Sequence, residues 1–428
     1  MRTIKRRVWL VKRGKIVSCG NNTSHPDDII KDENVFKGNL DIEKSNESDS
    51  VKNTADKLTF KGWLCIRGFF SVYFLSAVCV FLFSALVYII SRLSPDFAEF
   101  WTRYPAYWLK FLLAKLTTWL SFSVAEWFLL SVPILIIAYF IASWRAMNKA
   151  VKPSDFYKWL LPLICVLLII VSIFFTAFGP AYFRYSLDKN LSLERKGVSG
   201  QELYDTAIKL SKEMENIIDN VNFRYTESSV MPYSYDELAK KINFAFKSYV
   251  EKVDYLNSFE SYPKPIAFSE QFTYTHISGV YTFMTGEANI NVNYPDYIIP
   301  FTMAHEMAHQ RGIAREDEAN FVAYLVCMES DDSYIRYSGY SNMMQYVLNA
   351  LYAADKTLYT DFYNNNYPIE LRTEFSAYSL FFDKYRESKV SNVAQTVNDA
   401  FIKTQGQTEG IKSYGLVVDL TVAYYKNK

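Results

Sequence analysis

The segment TMAHEMAHQRGIAREDEANFVAYLVC, residues 302–327, contains the pattern H-E-x-x-H at His305, Glu306 and His309. On a helix, positions i and i+4 lie on one face, so both imidazoles can bind one metal ion. Glu306 lies one residue along and can reach a water molecule on that ion. Only four histidines occur in the chain, and two of them flank this glutamate at metal-ligand spacing. The segment therefore predicts a helix that carries a zinc site, with Glu306 as the catalytic base.

The ends of this helix are also marked in the sequence. Pro295, Asp296 and Pro300 are start signals, and Gly312 is a C-terminal stop signal. Gly312 stands where the metzincin pattern H-E-x-x-H-x-x-G-x-x-H has its turn, but the position of the third metzincin histidine is Arg315. This departure argues against a metzincin.

A catalytic zinc ion needs a third protein ligand and an open position. Glu316 and Glu318 follow the motif and lie about 200° apart on a helical wheel, so only one of them can face the metal. We favour Glu316, because its face continues through small residues that allow close approach to the motif helix. Asn320, at i+4 from Glu316, is placed to orient a zinc-bound histidine. The small residues on this face are Ala319, Ala323 and Cys327.

The order E-x-x-A-N after H-E-x-x-H resembles the gluzincin families, notably membrane-embedded peptidases whose third ligand lies in E-x-x-A-D. Asn320 replaces that aspartate here. The sequence is also similar to a family of uncharacterised bacterial membrane proteins, a domain of unknown function with three spans and an H-E-x-A-H-Q-R-G motif. This resemblance includes FGPAYFRY (178–185), the motif segment and GQTEGIKSYGLVVDLTVAYY (406–425). It implies a zinc peptidase of the bacterial cell membrane, with no known substrate.

The composition also points to a membrane protein. Of the 428 residues, 50% are hydrophobic and 17% aromatic, which is rich for a purely soluble chain. Three apolar stretches approach the roughly 20 residues that a helix needs to cross a bilayer. We expect spans near residues 69–90, 127–144 and 159–178, within a membrane domain of residues 61–180. The formal net charge of +1 gives no general attraction for nucleic acid, and the five scattered cysteines show no disulfide scaffold.

The distribution of basic residues predicts the orientation. Residues 1–60 form a basic and then polar segment that we interpret as a disordered cytoplasmic leader. The loop after the second span is also basic, so the loop between the first two spans and everything after Gly179 are expected outside. Residues 104–120, YPAYWLKFLLAKLTTWL, are predicted to form a helix in the membrane interface. Glu126, at the edge of the second span, is interpreted as an interfacial charge or as a functional carboxylate within the membrane.

Residues 181–428 are predicted to form a mainly α, α+β zincin-like extracytoplasmic domain. Ser199 with Glu202, and Ser234 with Glu237, have the spacing of capping boxes that open helices. Residues 274–294 are rich in β-branched and aromatic residues and predict strands, with Gly279 and Gly286 as turn points. Residues 340–400 return to helical spacing.

Two further elements of a zincin site have candidates in the sequence. Zincins usually align substrate along a strand edge beside the motif helix, and residues 286–292 are expected to be that strand. An oxyanion donor is also required, for which Tyr414 in KSYG is the candidate, with His276 as an alternative.

The leading hypothesis is a membrane-anchored zinc metallopeptidase acting on a peptide or protein. The alternative is a non-catalytic anchor or assembly protein that uses zinc structurally. Structural zinc sites usually include cysteine, and only Cys327 lies near the motif in the sequence.

Overall fold

The computed structural model describes residues 11–12, 15–16, 71–148, 154–224, 228–405, 407 and 416–428. The chain divides into two units, Met1–Arg67 and Gly68–Lys428. In the first unit, strands β1 (Val11–Lys12) and β2 (Lys15–Ile16) form an antiparallel hairpin. The rest of the predicted leader lies outside the described residues.

Three helical stretches of the second unit are long and apolar enough to cross a membrane. They are α1 (Val72–Leu93), α4 (Val124–Met147) and the run Trp159–Phe183, which comprises most of α5 (Ser154–Ile173), a π-helical turn (Phe174–Phe178) and a 3₁₀ turn (Gly179–Phe183). Most of their side chains are not buried by protein. The three predicted spans are confirmed as helices of the required length and composition.

Two helices lie between the first two spans, α2 (Pro95–Arg103) and α3 (Pro105–Thr118). The predicted interfacial segment does form a helix, and its two faces differ. The inner face, including Lys110 and Ala114, is buried against the body of the protein. The outer face exposes Trp108, Leu112 and Leu116. This distribution fits a helix between protein and lipid, and its location in the interface stays a prediction.

Carboxylates join the second span to the rest of the protein. Glu287 accepts hydrogen bonds from the backbone N–H groups of Val124 and Ala125, at the start of α4. Glu126 accepts from the N–H groups of Ala267 and Phe268, both at 2.8 Å. Negative charge at a helix N-terminus is stabilising because the first N–H groups lack helical partners. Glu126 thus binds the backbone just before the short helix Ser269–Thr273, a role that the sequence did not indicate.

The remaining helices enclose a three-stranded sheet. Ser199 and Glu202 form the predicted capping box at the start of α7, and Ser234 caps α8 as expected. Residues 340–400 are mostly helical, as predicted. The elements after the third span are α6 (Leu187–Asn190), α7 (Gly200–Ile218), α8 (Tyr235–Val250), β3 (Lys264–Pro265), α9 (Ser269–Thr273), β4 (Gly279–Thr282), β5 (Glu287–Ile290), α10 (Ile298–Arg311), α11 (Glu316–Met328), α12 (Ser333–Ala354), α13 (Lys356–Asn365), α14 (Ile369–Asp383), α15 (Lys389–Thr404) and α16 (Val417–Asn427).

The sheet has the order β3-β5-β4, with β5 parallel to β3 and antiparallel to β4. The predicted strands are therefore present, and Gly286 lies in the hairpin turn with φ +70°. Gly279 is not a turn residue but the first residue of β4. The prediction that residues 286–292 offer the substrate edge is wrong, because β5 is hydrogen-bonded on both sides. The outer strands of the sheet are β3 and β4.

Candidate metal centre

The candidate metal centre is built on α10 and α11, which pack against each other in the core. All 14 residues of α10 are buried, so its polar side chains must find partners inside the protein. Gly312 ends α10 as predicted, with φ +102°, a conformation that glycine adopts without strain. The tight turn after it brings the start of α11 back to the histidine face of α10.

Three ligand atoms converge at this point. His305 Nε2 lies 3.0 Å from His309 Nε2, and Glu316 Oε2 lies 3.3 Å from the first and 3.2 Å from the second. Tetrahedral coordination with bonds of about 2.1 Å places ligand atoms about 3.4 Å apart. The spacing of the three atoms therefore fits one small divalent ion. They are the only group of three or more potential metal ligands found among the described residues.

The orientation of His309 is set by the turn. Its Nδ1 lies 2.7 Å from the carbonyl oxygen of Ile313. A carbonyl oxygen can only accept a hydrogen bond, so Nδ1 must carry the hydrogen. The Nδ1–H tautomer leaves the lone pair on Nε2, the atom that faces His305 and Glu316. A backbone carbonyl that fixes the tautomer in this way is typical of metal-binding histidines.

Charge at the centre favours a cation. Burial raises the pKa of Glu316, but the nearby imidazoles outweigh burial and hold that pKa well below its usual range. Burial lowers the pKa of His309, yet Glu316 more than offsets this and raises it to about 9. Glu316 is thus ionised, and its negative charge favours a positive charge between it and the imidazoles, either a proton or a metal ion.

Glu306 lies next to the ligands and against strand β4. Burial raises the pKa of its carboxyl, while the two histidines act in the opposite direction. The backbone N–H of Tyr281 donates a hydrogen bond to Glu306. A Cβ at Gly279 would lie 2.7 Å from Glu306 Cγ, so only glycine permits this approach of the strand. The candidate base is thereby fixed beside β4, an outer strand of the sheet.

Glu316 and Glu318 have different partners in the structure. Glu318 accepts hydrogen bonds from the backbone N–H of Leu187 at 2.9 Å and from Arg315 Nη1 at 3.0 Å. It therefore supports the start of α6 and takes no part in the group of metal ligands. Arg315, at the position of the third metzincin histidine, serves this structural contact.

Two tyrosines near Glu316 were not identified from the sequence. Tyr182 of the 3₁₀ turn is buried, and Tyr346 of α12 is partly buried; the charge of Glu316 acts on both hydroxyls. Burial and this charge raise the pKa of Tyr346, so its hydroxyl stays protonated and can donate. Asn320 interacts with this hydroxyl, and its predicted role toward a histidine stays a prediction. Tyr182 lies within the quoted FGPAYFRY segment, whereas nothing in the sequence marks Tyr346.

Phe178, near the end of the third span, packs against the candidate centre on another side. The ring of Phe178 lies 6.0 Å from that of His309 and 5.2 Å from that of Tyr281. The metal centre is therefore adjacent to the end of the span. Cys327 is buried against Gly339 and does not join the ligand group.

Of the two predicted oxyanion donors, the structure describes only His276. His276 has φ +60°, and its Nε2 lies 2.8 Å from the carbonyl oxygen of Tyr385, with its ring edge-on to Phe382. These contacts hold it between α9 and the end of α14. Tyr414 lies outside the described residues.

Comparison with known proteins places the chain in a family. Neither the curated proteins nor the solved structures include a significant match to it. Residues 102–422, well over half of the 428-residue chain, match the family described as Protein of unknown function (DUF3810). The matched range contains α10 and α11 with all three ligand residues. The chain therefore belongs to the DUF3810 family.

Proposed function

We propose that this protein is a membrane-anchored zinc metallopeptidase. The observation that carries the proposal is the convergence of His305 Nε2, His309 Nε2 and Glu316 Oε2 within 3.3 Å of one another, beside the buried carboxyl of Glu306. Two histidines and one glutamate are a typical ligand set of catalytic zinc sites in hydrolases.

The donor set favours a catalytic over a structural metal. Structural zinc sites are closed by four protein ligands and usually include cysteine. No fourth ligand joins the three in the described part of the chain, and Cys327 is held elsewhere. A bound zinc ion would polarise the scissile carbonyl and lower the pKa of a water molecule toward about 7.

Glu306 is proposed as the general base and then the general acid. Burial raises its pKa, which makes its carboxylate a stronger base than an ordinary one. It would accept the proton of the attacking water and deliver it to the leaving amine nitrogen. The N–H of Tyr281 and the close backbone at Gly279 hold the carboxyl in place for both steps.

The position of β4 as an outer strand beside Glu306 supports an extended peptide as substrate. A peptide can add to an exposed edge through backbone hydrogen bonds. β4 runs past Glu306, so a peptide paired with it would place a carbonyl near the metal ligands. In this proposal β4, and not residues 286–292, is the strand that aligns the substrate.

Tyr346 is proposed as the oxyanion donor. Its hydroxyl is protonated, lies near Glu316, and belongs to a side chain that is only partly buried. These properties suit a group that must donate to a developing negative charge on a bound substrate. The basic residues around the spans support an extracytoplasmic position for the site.

The test is proteolysis of a peptide library by the full chain in lipid nanodiscs, because α2 and α3 pack into the domain that carries the site. Wild type should cleave. Glu306→Gln should bind zinc but lose about a hundredfold or more of the rate, the usual contribution of general acid–base catalysis. Tyr346→Phe should reduce kcat with little change in KM, and Tyr182→Phe is its matched control.

Two outcomes would contradict the proposal. Cleavage that survives Glu306→Gln would show a contaminating protease or another base. Zinc binding without cleavage of any peptide by wild type would favour the non-catalytic anchor.

A further inference from the structure

Helix α15, Lys389–Thr404, exposes an apolar stripe to its surroundings. Val390, Val393, Val397 and Phe401 recur at helical spacing and are 56%, 65%, 65% and 39% exposed. Ser391 and Ile402 face the protein, and a third side carries exposed polar residues such as Asn392 and Gln395. The helix is therefore amphipathic, yet its apolar side is not fully used by the fold.

The C-terminal end of α15 is fixed at the ends of two spans. The hydroxyl of Tyr88 in α1 donates to Gln405 Oε1 at 3.1 Å. The ring of Phe401 lies 5.9 Å from that of Phe174, where the third span enters its π-helical turn. Tyr88 also stacks on Phe175 at 4.4 Å, so both spans are joined at this level. The Phe401 end of the apolar stripe therefore adjoins the ends of these two spans.

A second helix packs at the same span end. α3 also packs beside the π-helical turn and exposes Trp108, Leu112 and Leu116 on its outer side. Tryptophan is enriched where membrane meets water. The exposed faces of α3 and α15 thus adjoin one span end, which makes lipid the occupant that fits this stripe.

We propose that α15 is a membrane-surface helix whose apolar stripe binds the lipid bilayer at the boundary of headgroups and acyl chains. With 16 residues, several of them charged or amide, it is too short and too polar to span. From Val390 to Phe401 the stripe extends about 17 Å along the helix, enough to lie in the interface as amphipathic anchors do. The helix would hold the C-terminal part of the chain on the membrane beside the turn that walls the metal centre.

The test places a fluorophore at single positions of the full chain in nanodiscs with and without doxyl-labelled lipids. In a background without native cysteines, Val393→Cys and Val397→Cys carry an environment-sensitive dye on the stripe. Gln395→Cys on the polar side is the matched control, and Ile137→Cys in the second span is the lipid-exposed reference. All four positions are exposed, so the labelled proteins should fold.

We expect strong quenching at residues 393 and 397, close to that of residue 137, and little at residue 395. Equal, weak quenching at 393, 397 and 395 would overturn the proposal. Unquenched dyes on the stripe together with crosslinking of residue 397 between chains would instead show that a second copy covers it. The readout does not depend on peptidase activity, so it stands apart from the proposal of the preceding section.

Discussion

Neither α10 nor α4 has one buried and one exposed face, and the reasons are opposite. All 14 residues of α10 are buried by protein, whereas only Ala125 and Ser143 of the 24 residues of α4 are buried. A helix without an exposed polar face lies either in a protein core or in a membrane. The length and hydropathy of α4 fit the second environment.

The polar residues show what this difference means. Glu126 and Arg145 of α4 lie near its ends, where charge can reach water or backbone. α10 instead carries His305, Glu306, His309, Gln310 and Arg311 in its buried part. Each of these has polar partners, for example Gln310 with Ser261 and with the carbonyl of Gly286. The candidate site residues of α10 thus lie where protein encloses polar side chains and fixes their positions.

The largest effect expected from this comparison concerns Arg184. It pairs with Glu99 at 2.6 Å and donates to the carbonyl of Gly312, at the end of α10. Arg184→Leu leaves Glu99 largely buried without its partner and should destabilise the protein by about 3 kcal/mol or more. Ile137→Ala on the lipid-facing side of α4 should change stability by no more than about 0.5 kcal/mol. Unfolding midpoints in nanodiscs measure both; similar shifts would break the contrast between the two helices.

A smaller effect is expected at Gly279. A Cβ there would lie 2.7 Å from Glu306 Cγ and 2.8 Å from Thr302 Cγ2, inside a packed site. Gly279→Ala should therefore cost about 1–3 kcal/mol of stability and reduce peptidase activity by displacing β4. Gly197→Ala is the control, because nothing lies within 4 Å of its added Cβ. Equal behaviour of the two variants in thermal unfolding and peptide cleavage would argue against close contact of the strand with Glu306.

The smallest effect, measured at alkaline pH, concerns Lys110 on the buried face of α3, whose Nζ has no hydrogen-bond partner among the described residues. Burial, aided by Arg184 and Arg311, lowers its pKa from 10.5 to about 7. Between these values the unfolded state binds more protons than the folded state, so stability should rise with pH across this window. Lys110→Met should flatten that rise and add about 1 kcal/mol at about pH 9.5, one unit below the unfolded-state pKa.

The control for Lys110 is Lys115→Met on the exposed side of the same helix. It should leave the pH profile of the unfolding midpoint as in wild type. A wild-type profile without a rise above about pH 7 would show that Lys110 titrates normally.

Local pattern explains what the sequence could predict. The i, i+4 spacing of His305 and His309, the stop at Gly312 and the helical face of Glu316 depend on residues within one or two turns. The spans follow from length and composition alone. These features were all found in the structure.

The features that the sequence missed depend on distant contacts. Nothing local shows that β5 is central and that β4 is an outer strand, because sheet order depends on β3, which comes before both. Tyr346 reaches the centre from a helix thirty residues beyond Glu316, in a chain with 33 tyrosines. Glu126 could not be assigned, since its partners at Ala267 and Phe268 lie far along the chain.

The most direct test of the central claim is the zinc content of the full chain in nanodiscs, for wild type, Glu316→Gln and Glu318→Gln. The two variants make the same chemical change two residues apart on one buried helix. The account predicts one zinc ion per chain in wild type and Glu318→Gln, and loss of zinc in Glu316→Gln. Absence of zinc from wild type, or its full retention in Glu316→Gln, would contradict the proposed metal centre.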